Sequence, residues 1–335
     1  MTDVVIAARD LTVDYRVGRQ YVRAVNGVSL ELRAGETTAL VGESGCGKST
    51  LGRALLGLLP EDARTTGSVQ YGGRDLYALP PRERRALRGR ELSLVFQDPM
   101  TRLDPLLTVE QHFRELYKAH GVRKSRDDMR RAARDALAEV GVPPDRLFHY
   151  PHEFSGGMRQ RIMIALGLAL DPKFLVADEP TTSLDVIVEA QIIDLLRRLS
   201  KERGLATLLI THNLGLVAEV ADRVLVMYAG DLVESQSVEP LFRAPSHPYT
   251  RGLLDSTIHF GTEKLHSIAG SPPDLGDPPP ACRFHPRCPR AHALCARERP
   301  PWALDALCWF PGVEPQPQAP PEEWGPPLRV QEEAA

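Results

Sequence analysis

The sequence has no run of eighteen apolar residues, so no segment reads as a helix across a bilayer. Its start, Met-Thr-Asp-Val-Val-Ile, lacks the basic and apolar regions of a secretory signal. The expectation is a chain made and kept in the cytosol, whose membrane contacts go through a partner. Charge excess is missing too: 41 Lys and Arg stand against 44 Asp and Glu, which argues against a dedicated nucleic-acid binder. Cysteine is scarce over most of the length. Of five, Cys46 stands apart, and Cys282, Cys288, Cys295 and Cys308 crowd near the C-terminus. In a reducing compartment such a group points to metal rather than disulfides. With 335 residues, one large or two ordinary domains have ample length for a core.

What is present is organised around Gly42-Glu43-Ser44-Gly45-Cys46-Gly47-Lys48-Ser49, which matches the phosphate-cradling pattern G-x-x-x-x-G-K-[ST]. Thr38 to Val41 reads as a buried strand before it, and Thr50 to Leu59 as a helix after it, stopped by Pro60. A loop that wraps a polyphosphate with its own N–H groups needs conformations and close approaches that Gly42, Gly45 and Gly47 supply. Lys48 then places a positive charge on the outer phosphates, Ser49 offers a hydroxyl to Mg²⁺, and Thr50 opens the helix whose N-terminus favours negative charge.

Around this loop, Val4 to Leu32 alternates as two or three antiparallel strands, and Gly67 to Gly73 suggests another hairpin. Tyr15 and Tyr21 are both candidates for a platform on which a purine stacks. Arg82 to Arg90 reads as a solvated basic helix, and Leu92 to Phe96 as a strand ending at Gln97, whose amide is placed to reach a metal-bound nucleotide. From Asp104 to Leu170 the texture turns helical: Ser125 precedes Asp128 at capping-box spacing, and Met129, Ala132, Ala133, Ala136, Leu137 and Val140 fall on one face. This stretch ends in Phe154-Ser155-Gly156-Gly157-Met158. An apolar strand from Phe174 then runs into Asp178 and Glu179, whose side chains alternate in direction, so that one faces Mg²⁺ and the other an attacking water. Ser183-Leu184-Asp185 follows, and a strand from Thr207 to Ile210 ends at His212, where ligands of open α/β sheets sit.

These motifs in this order resemble the nucleotide-binding subunit of an ATP-binding cassette transporter over about the first 235 residues. The resemblance implies an α/β P-loop NTPase fold, with an antiparallel β subdomain, a helical insert at about 98–170 and a nucleotide-binding domain of 1–240. It implies two such domains meeting head to tail around two ATP molecules. Lys48 and Ser49 would hold phosphates and Mg²⁺, Gln97 and Asp178 would complete the metal shell, Glu179 would polarise the water, and His212 would touch the γ-phosphate. Ser155, Gly156 and Gly157 would close over the partner's ATP, and Asp185 would be a further nucleotide-binding residue. The signature departs from the commonest form at Phe154 and at Met158, which stands where Gln is usual.

The segment 241–311 narrows the resemblance to dipeptide and oligopeptide importer ATPases, through Ala244-Pro-Ser-His247-Pro248-Tyr249-Thr250, Pro272-Pro273 and the four cysteines. Thiolate spacing alone leaves a tetrahedral zinc and an iron-sulfur cluster open, with His285 and His292 nearby as substitute ligands. The resemblance implies a 4Fe-4S cluster. It also implies a similar, non-identical second ATPase subunit, two permease chains, an extracytoplasmic substrate-binding protein, and a peripheral place on the cytoplasmic face of the inner membrane. Other cargoes, such as nickel, glutathione or a sugar oligomer, share the same ATPase design. A soluble cassette ATPase of nucleic-acid metabolism and a module that holds ATP without turnover are the readings from other classes. Residues 312–335, rich in Pro and Glu, read as a flexible tail.

Overall fold

The computed structural model describes residues 3–96, 102–182, 184–256 and 267–312. Gln97, Ser183 and nearly all of the expected tail lie outside these. The described strands build two sheets. In the first, β1 (Val4–Val17), β2 (Gln20–Arg33), β4 (Arg64–Tyr71) and β5 (Arg74–Asp75) are antiparallel in the order β2-β1-β4-β5. The second contains β3 (Thr37–Val41), β6 (Leu92–Val95), β7 (Phe174–Asp178), β8 (Ala206–Ile210), β9 (Arg223–Tyr228), β10 (Asp231–Ser237), β11 (Trp302–Ala303) and β12 (Ala306–Leu307). Its order is β11-β12-β10-β9-β3-β8-β7-β6. From β9 to β6 neighbours are parallel, and β10, β12 and β11 add antiparallel pairings at one edge.

Every residue of β3, β7 and β8 is buried, as expected of parallel strands covered on both faces. The two-residue period divides the sheet's contacts. Phe174 and Val176 of β7 pack with the helix Lys48–Leu55 and the antiparallel sheet, while Leu175 and Ala177 pack with the helices inserted between β6 and β7. Asp178 therefore falls on the face covered by the helix that follows the phosphate loop. That helix lies close on the sheet. A Cβ at Gly52 would stand 2.9 Å from Ile210 Cδ1 and 3.0 Å from Val176 Cγ1.

The phosphate-loop helix ends at Leu55, four residues before the expected end at Leu59. Gly57, at φ +61°, takes the left-handed turn, with Gly57 N–H donating to Ala54 O at 3.0 Å and Leu58 N–H to Arg53 O at 2.8 Å. This is a Schellman closure, and it acts before Pro60 is reached. Between β6 and β7 the described regular elements are helical, among them Val109–Ala119, Arg126–Glu139 and Gly156–Leu168. Ser125 caps the second of these by accepting from Asp128 N–H at 3.1 Å, and Ala133, Leu137 and Val140 are buried on the expected face.

The C-terminal segment is joined to the main sheet rather than standing beside it. Glu234 of β10 pairs with Ala306 of β12, Ser235 N–H donates to Asp305 O at 2.9 Å, and Arg299 reaches Asp231 at 2.9 Å.

Candidate nucleotide site

The end of β3 delivers the chain into a loop whose glycines differ in what they require. Gly42 (φ +149°) would place a Cβ 2.1 Å from Met227 O, and Gly47 (φ +107°) would place one 2.2 Å from Ala24 O. At Gly45 (φ +79°) nothing lies within 4 Å of the added carbon. Gly45 thus supplies only backbone freedom, whereas Gly42 and Gly47 also supply contact with neighbouring backbone. Cys46 is buried beneath the loop, and its carbonyl accepts from Gly230 N–H at 2.9 Å.

Lys48 is buried, its Nζ donating to Gly42 O at 2.8 Å and Glu43 O at 2.9 Å. The Ser49 hydroxyl donates to Asp178 Oδ1 at 2.8 Å, so the two expected metal ligands meet although 129 residues separate them. Burial pushes the Asp178 carboxyl above its ordinary range, against the hydrogen bond from Ser49 and the charge of Arg53. Glu179 sits at φ +46°, a costly conformation for a side chain of this kind, and its N–H donates to Ile210 O at 2.9 Å. Its carboxylate accepts from Thr182 Oγ1 at 3.1 Å and stands 3.8 Å from His212 Nδ1. The acid that follows β7 and the histidine that follows β8 are thus neighbours.

A cleft of about 430 Å³ is lined among others by Tyr15, Lys48, Ser49, Thr50, Glu179 and Leu275, with Asp178 and His212 beside Ser49 and Glu179 rather than in its lining. Ser44, Gly45 and Gly47 also line it. Leu275 went unnoticed in the sequence, where no motif marks it. Glu43 turns its carboxylate away to Arg287, with N–O distances of 2.7 and 3.0 Å. Of the two tyrosines, Tyr15 lines the cleft. The register pairs Tyr15 with Val22 and Arg16 with Tyr21, so the two rings emerge on opposite faces, and Tyr21 stacks beneath Arg64 at 3.7 Å. A base stacked on an aromatic ring is held by about 1–3 kcal/mol. Tyr15→Ala is therefore expected to raise the Kd for ATP about tenfold with kcat retained, and Tyr21→Ala to leave it unchanged, as read by titration with a fluorescent ATP analogue.

Ser155, Gly156, Gly157 and Asp185 do not line this cleft. They form a packed unit of their own. Ser155 Oγ accepts from Met158 N–H at 3.4 Å, a Cβ at Gly157 would lie 2.5 Å from Val188 Cγ1, and Asp185 caps the next helix by accepting from Val188 N–H at 3.0 Å. Met158 packs against the helical core, where a thioether serves better than an amide.

All four C-terminal cysteines are free and line one cavity, with His247, His285 and Arg290 around it. Burial pushes the thiols of Cys282 and Cys288 up to about 12 and that of Cys308 to about 11, and raises Cys295 as well. Among the described residues no three His, Cys, Asp or Glu side chains converge as a single metal ion requires. The donor set nonetheless suits a thiolate-bound group, because the Nε of the buried Arg290 has no partner among the described residues and its charge acts on Cys308 and Cys288. His292 instead accepts from Leu294 N–H at 3.4 Å at the start of a short helix.

Comparison with known proteins agrees with this geometry. The family described as "ABC transporter" matches residues 25–182, and "Oligopeptide/dipeptide transporter, C-terminal region" matches residues 233–295. The dipeptide transport ATP-binding protein DppD of Bacillus subtilis is 45% identical over 302 residues, which cover 88% of this chain and 90% of that one. The oligopeptide transport ATP-binding protein OppD of Salmonella typhimurium is 44% identical over 302 residues, at 89% and 90% coverage. The dimeric ATP-binding cassette MJ0796, solved in a post-hydrolysis state bound to ADP and Pi, matches with a TM-score of 0.63 at 26% identity, over 70% of this chain and 99% of that one. The chain belongs to the ABC transporter family, as an ATPase among its dipeptide and oligopeptide transport ATP-binding subunits.

Proposed function

We propose that this ATPase works as one of two cassettes that power import of di- or oligopeptides through a membrane permease, from the cytoplasmic face of the inner membrane. The observation that carries the reading is a cleft lined by Lys48, Ser49 and Glu179, with Asp178 bonded to Ser49 and His212 3.8 Å from Glu179, in a chain whose C-terminal segment matches that of peptide transporters. Relatives named for dipeptide and oligopeptide transport support the cargo class. No helix among the described residues is long and apolar enough to cross a membrane, so the permease would be supplied by other chains.

In this reading Lys48 exchanges the carbonyls of Gly42 and Glu43 for nucleotide phosphates. Ser49 and Asp178, with Gln97, would hold Mg²⁺, which would supply positive charge to the phosphate oxygens. Glu179 orients the attacking water, and His212 steadies the γ-phosphate. Ser155 to Gly157 serve the nucleotide of a second, similar subunit, which accounts for their distance from this chain's own cleft. ATP favours the closed pair because it binds that state better, and hydrolysis removes the preference. Co-purification of the chain with its permease and substrate-binding protein, followed by uptake into proteoliposomes, tests the assignment. Transport of peptides is the expected result; transport of nickel or oligosaccharide alone would move the cargo class.

Cys282, Cys288, Cys295 and Cys308 are assigned a 4Fe-4S cluster, whose iron would be held through the four thiolates. A cubane spaces its ligands more widely than one zinc ion, which accords with four cysteines that share a cavity without converging. The chain purified without oxygen should carry iron and sulfide in near-equal amounts. Zinc without sulfide would defeat the assignment. Because the thiols start protonated, loading of the apo chain should strengthen as pH rises.

A further inference from the structure

The phosphate loop is held from outside the nucleotide-binding motifs. Glu43, its second residue, has three handles. Its N–H donates to the hydroxyl of Tyr249 at 2.9 Å, its carboxylate is gripped by both terminal nitrogens of Arg287, and its carbonyl accepts from Lys48 Nζ at 2.9 Å. Tyr249 and Arg287 lie 206 and 244 residues further along the chain.

Both are fixed before they reach the loop. Tyr249 is fully buried and packs on Tyr228 and Phe284, with ring centroids 4.6 and 5.4 Å away. Arg287 has a side chain only 5% exposed, and its Nε donates to Ala269 O at 2.9 Å while Nη1 reaches Tyr228 Oη at 3.3 Å. Phe284 and Cys288, on either side of Arg287, both line the cysteine cavity. The same C-terminal segment sends Leu275 to the wall of the nucleotide cleft.

We propose that Arg287 and Tyr249 are positioning residues for the phosphate loop: they hold Glu43 and thereby the carbonyls on which Lys48 rests, so that nucleotide affinity is set partly by the C-terminal segment. A guanidinium fork that is itself locked fixes a carboxylate in two directions, which an ammonium does not. The Tyr249 hydroxyl fixes the adjoining peptide plane. Together they leave Glu43 one orientation, with Lys48 near the phosphate-facing side of the loop at little further ordering cost.

The inference rests on the nucleotide-site reading above, and the test separates the two. Titrate the full chain with a non-hydrolysable ATP analogue and Mg²⁺, and follow thermal unfolding of the same samples. Failure of the unsubstituted chain to bind defeats the site reading itself. Given that it binds, Arg287→Gln should raise Kd about tenfold and raise KM more than it lowers kcat. Arg287→Lys should recover only part of this. Tyr249→Phe keeps the packed ring and removes only the acceptor of the Glu43 N–H, and should raise Kd about threefold with little change in melting temperature. Glu43→Gln combined with Arg287→Gln should bind no worse than Arg287→Gln alone. Unchanged Kd in both Arg287→Gln and Tyr249→Phe, or multiplied effects in the double variant, overturns the proposal. Should Arg287→Gln not fold, Tyr249→Phe decides alone.

Discussion

Replacing Glu179 by Gln is expected to leave ATP bound and to lower turnover by about 10²–10⁴-fold, the range attributed to a positioned general base. The substitution keeps the side chain's size and the strained backbone at φ +46°, because glutamine accepts that conformation no less readily than glutamate. It also keeps an oxygen for the Thr182 hydroxyl, 3.1 Å away. What it removes is the carboxylate that, in the proposed mechanism, would take the water's proton, and with it the charge 3.8 Å from His212. The hydrogen-bonded pair of Ser49 and Asp178 is untouched. Since binding persists while cleavage fails, the closed pair of cassettes should accumulate, visible as an ATP-dependent shift to dimer by size-exclusion chromatography. Hydrolysis at the original rate would strip Glu179 of its role and point to the histidine instead.

How much of this was legible in the sequence depended on whether the determinant was local. β3, β7 and β8 could be read from short apolar runs because both faces of each strand are covered and no polar alternation interrupts them. Ser125 could be read as a cap because its partner Asp128 is three residues away. Pro60 suggests a helix end at Leu59, whereas the closure is made earlier by Gly57. Which of Tyr15 and Tyr21 lines the cleft depends on the register of β1 on β2, which neither residue's own neighbourhood contains. The attachment of the C-terminal segment to the main sheet runs through β11 and β12, each of two residues, too short to leave a periodic trace. The links from Tyr249 and Arg287 to Glu43, like the presence of Leu275 at the cleft, are products of tertiary packing alone. The motifs thus mark the candidate reacting groups, whereas the contacts of Tyr249 and Arg287 with the loop exist only in the folded chain.

That distinction makes the loop glycines unequal, and Gly47→Ala should show it. Gly47 opens the helix Lys48–Leu55 at φ +107°, and its new methyl would sit 2.2 Å from the carbonyl of Ala24 in β2. The carbonyl cannot yield by a rotamer change, since it is backbone of β2, and the residues on either side of it, Arg23 and Val25, pair with Asp14 and Val13 of β1. Nor is the loop free to retreat: Gly230 N–H holds Cys46 O at 2.9 Å and Tyr249 holds Glu43 N–H at 2.9 Å. A left-handed backbone costs an alanine roughly 1–2 kcal/mol, and overpacking adds about 1–3 kcal/mol, so the nucleotide-free chain should lose roughly 3 kcal/mol of stability. The displacement carries Lys48 and Ser49 with it, since they are the next two residues, and ATP affinity should fall by 100-fold or more. Gly45→Ala is the control. Its φ of +79° imposes the conformational cost, but the open space around its Cβ removes the clash. Its stability loss should stay near 1–2 kcal/mol. Denaturant unfolding of both nucleotide-free variants measures the difference, and equal losses would mean that close backbone contact at Gly47 does not set the loop's shape.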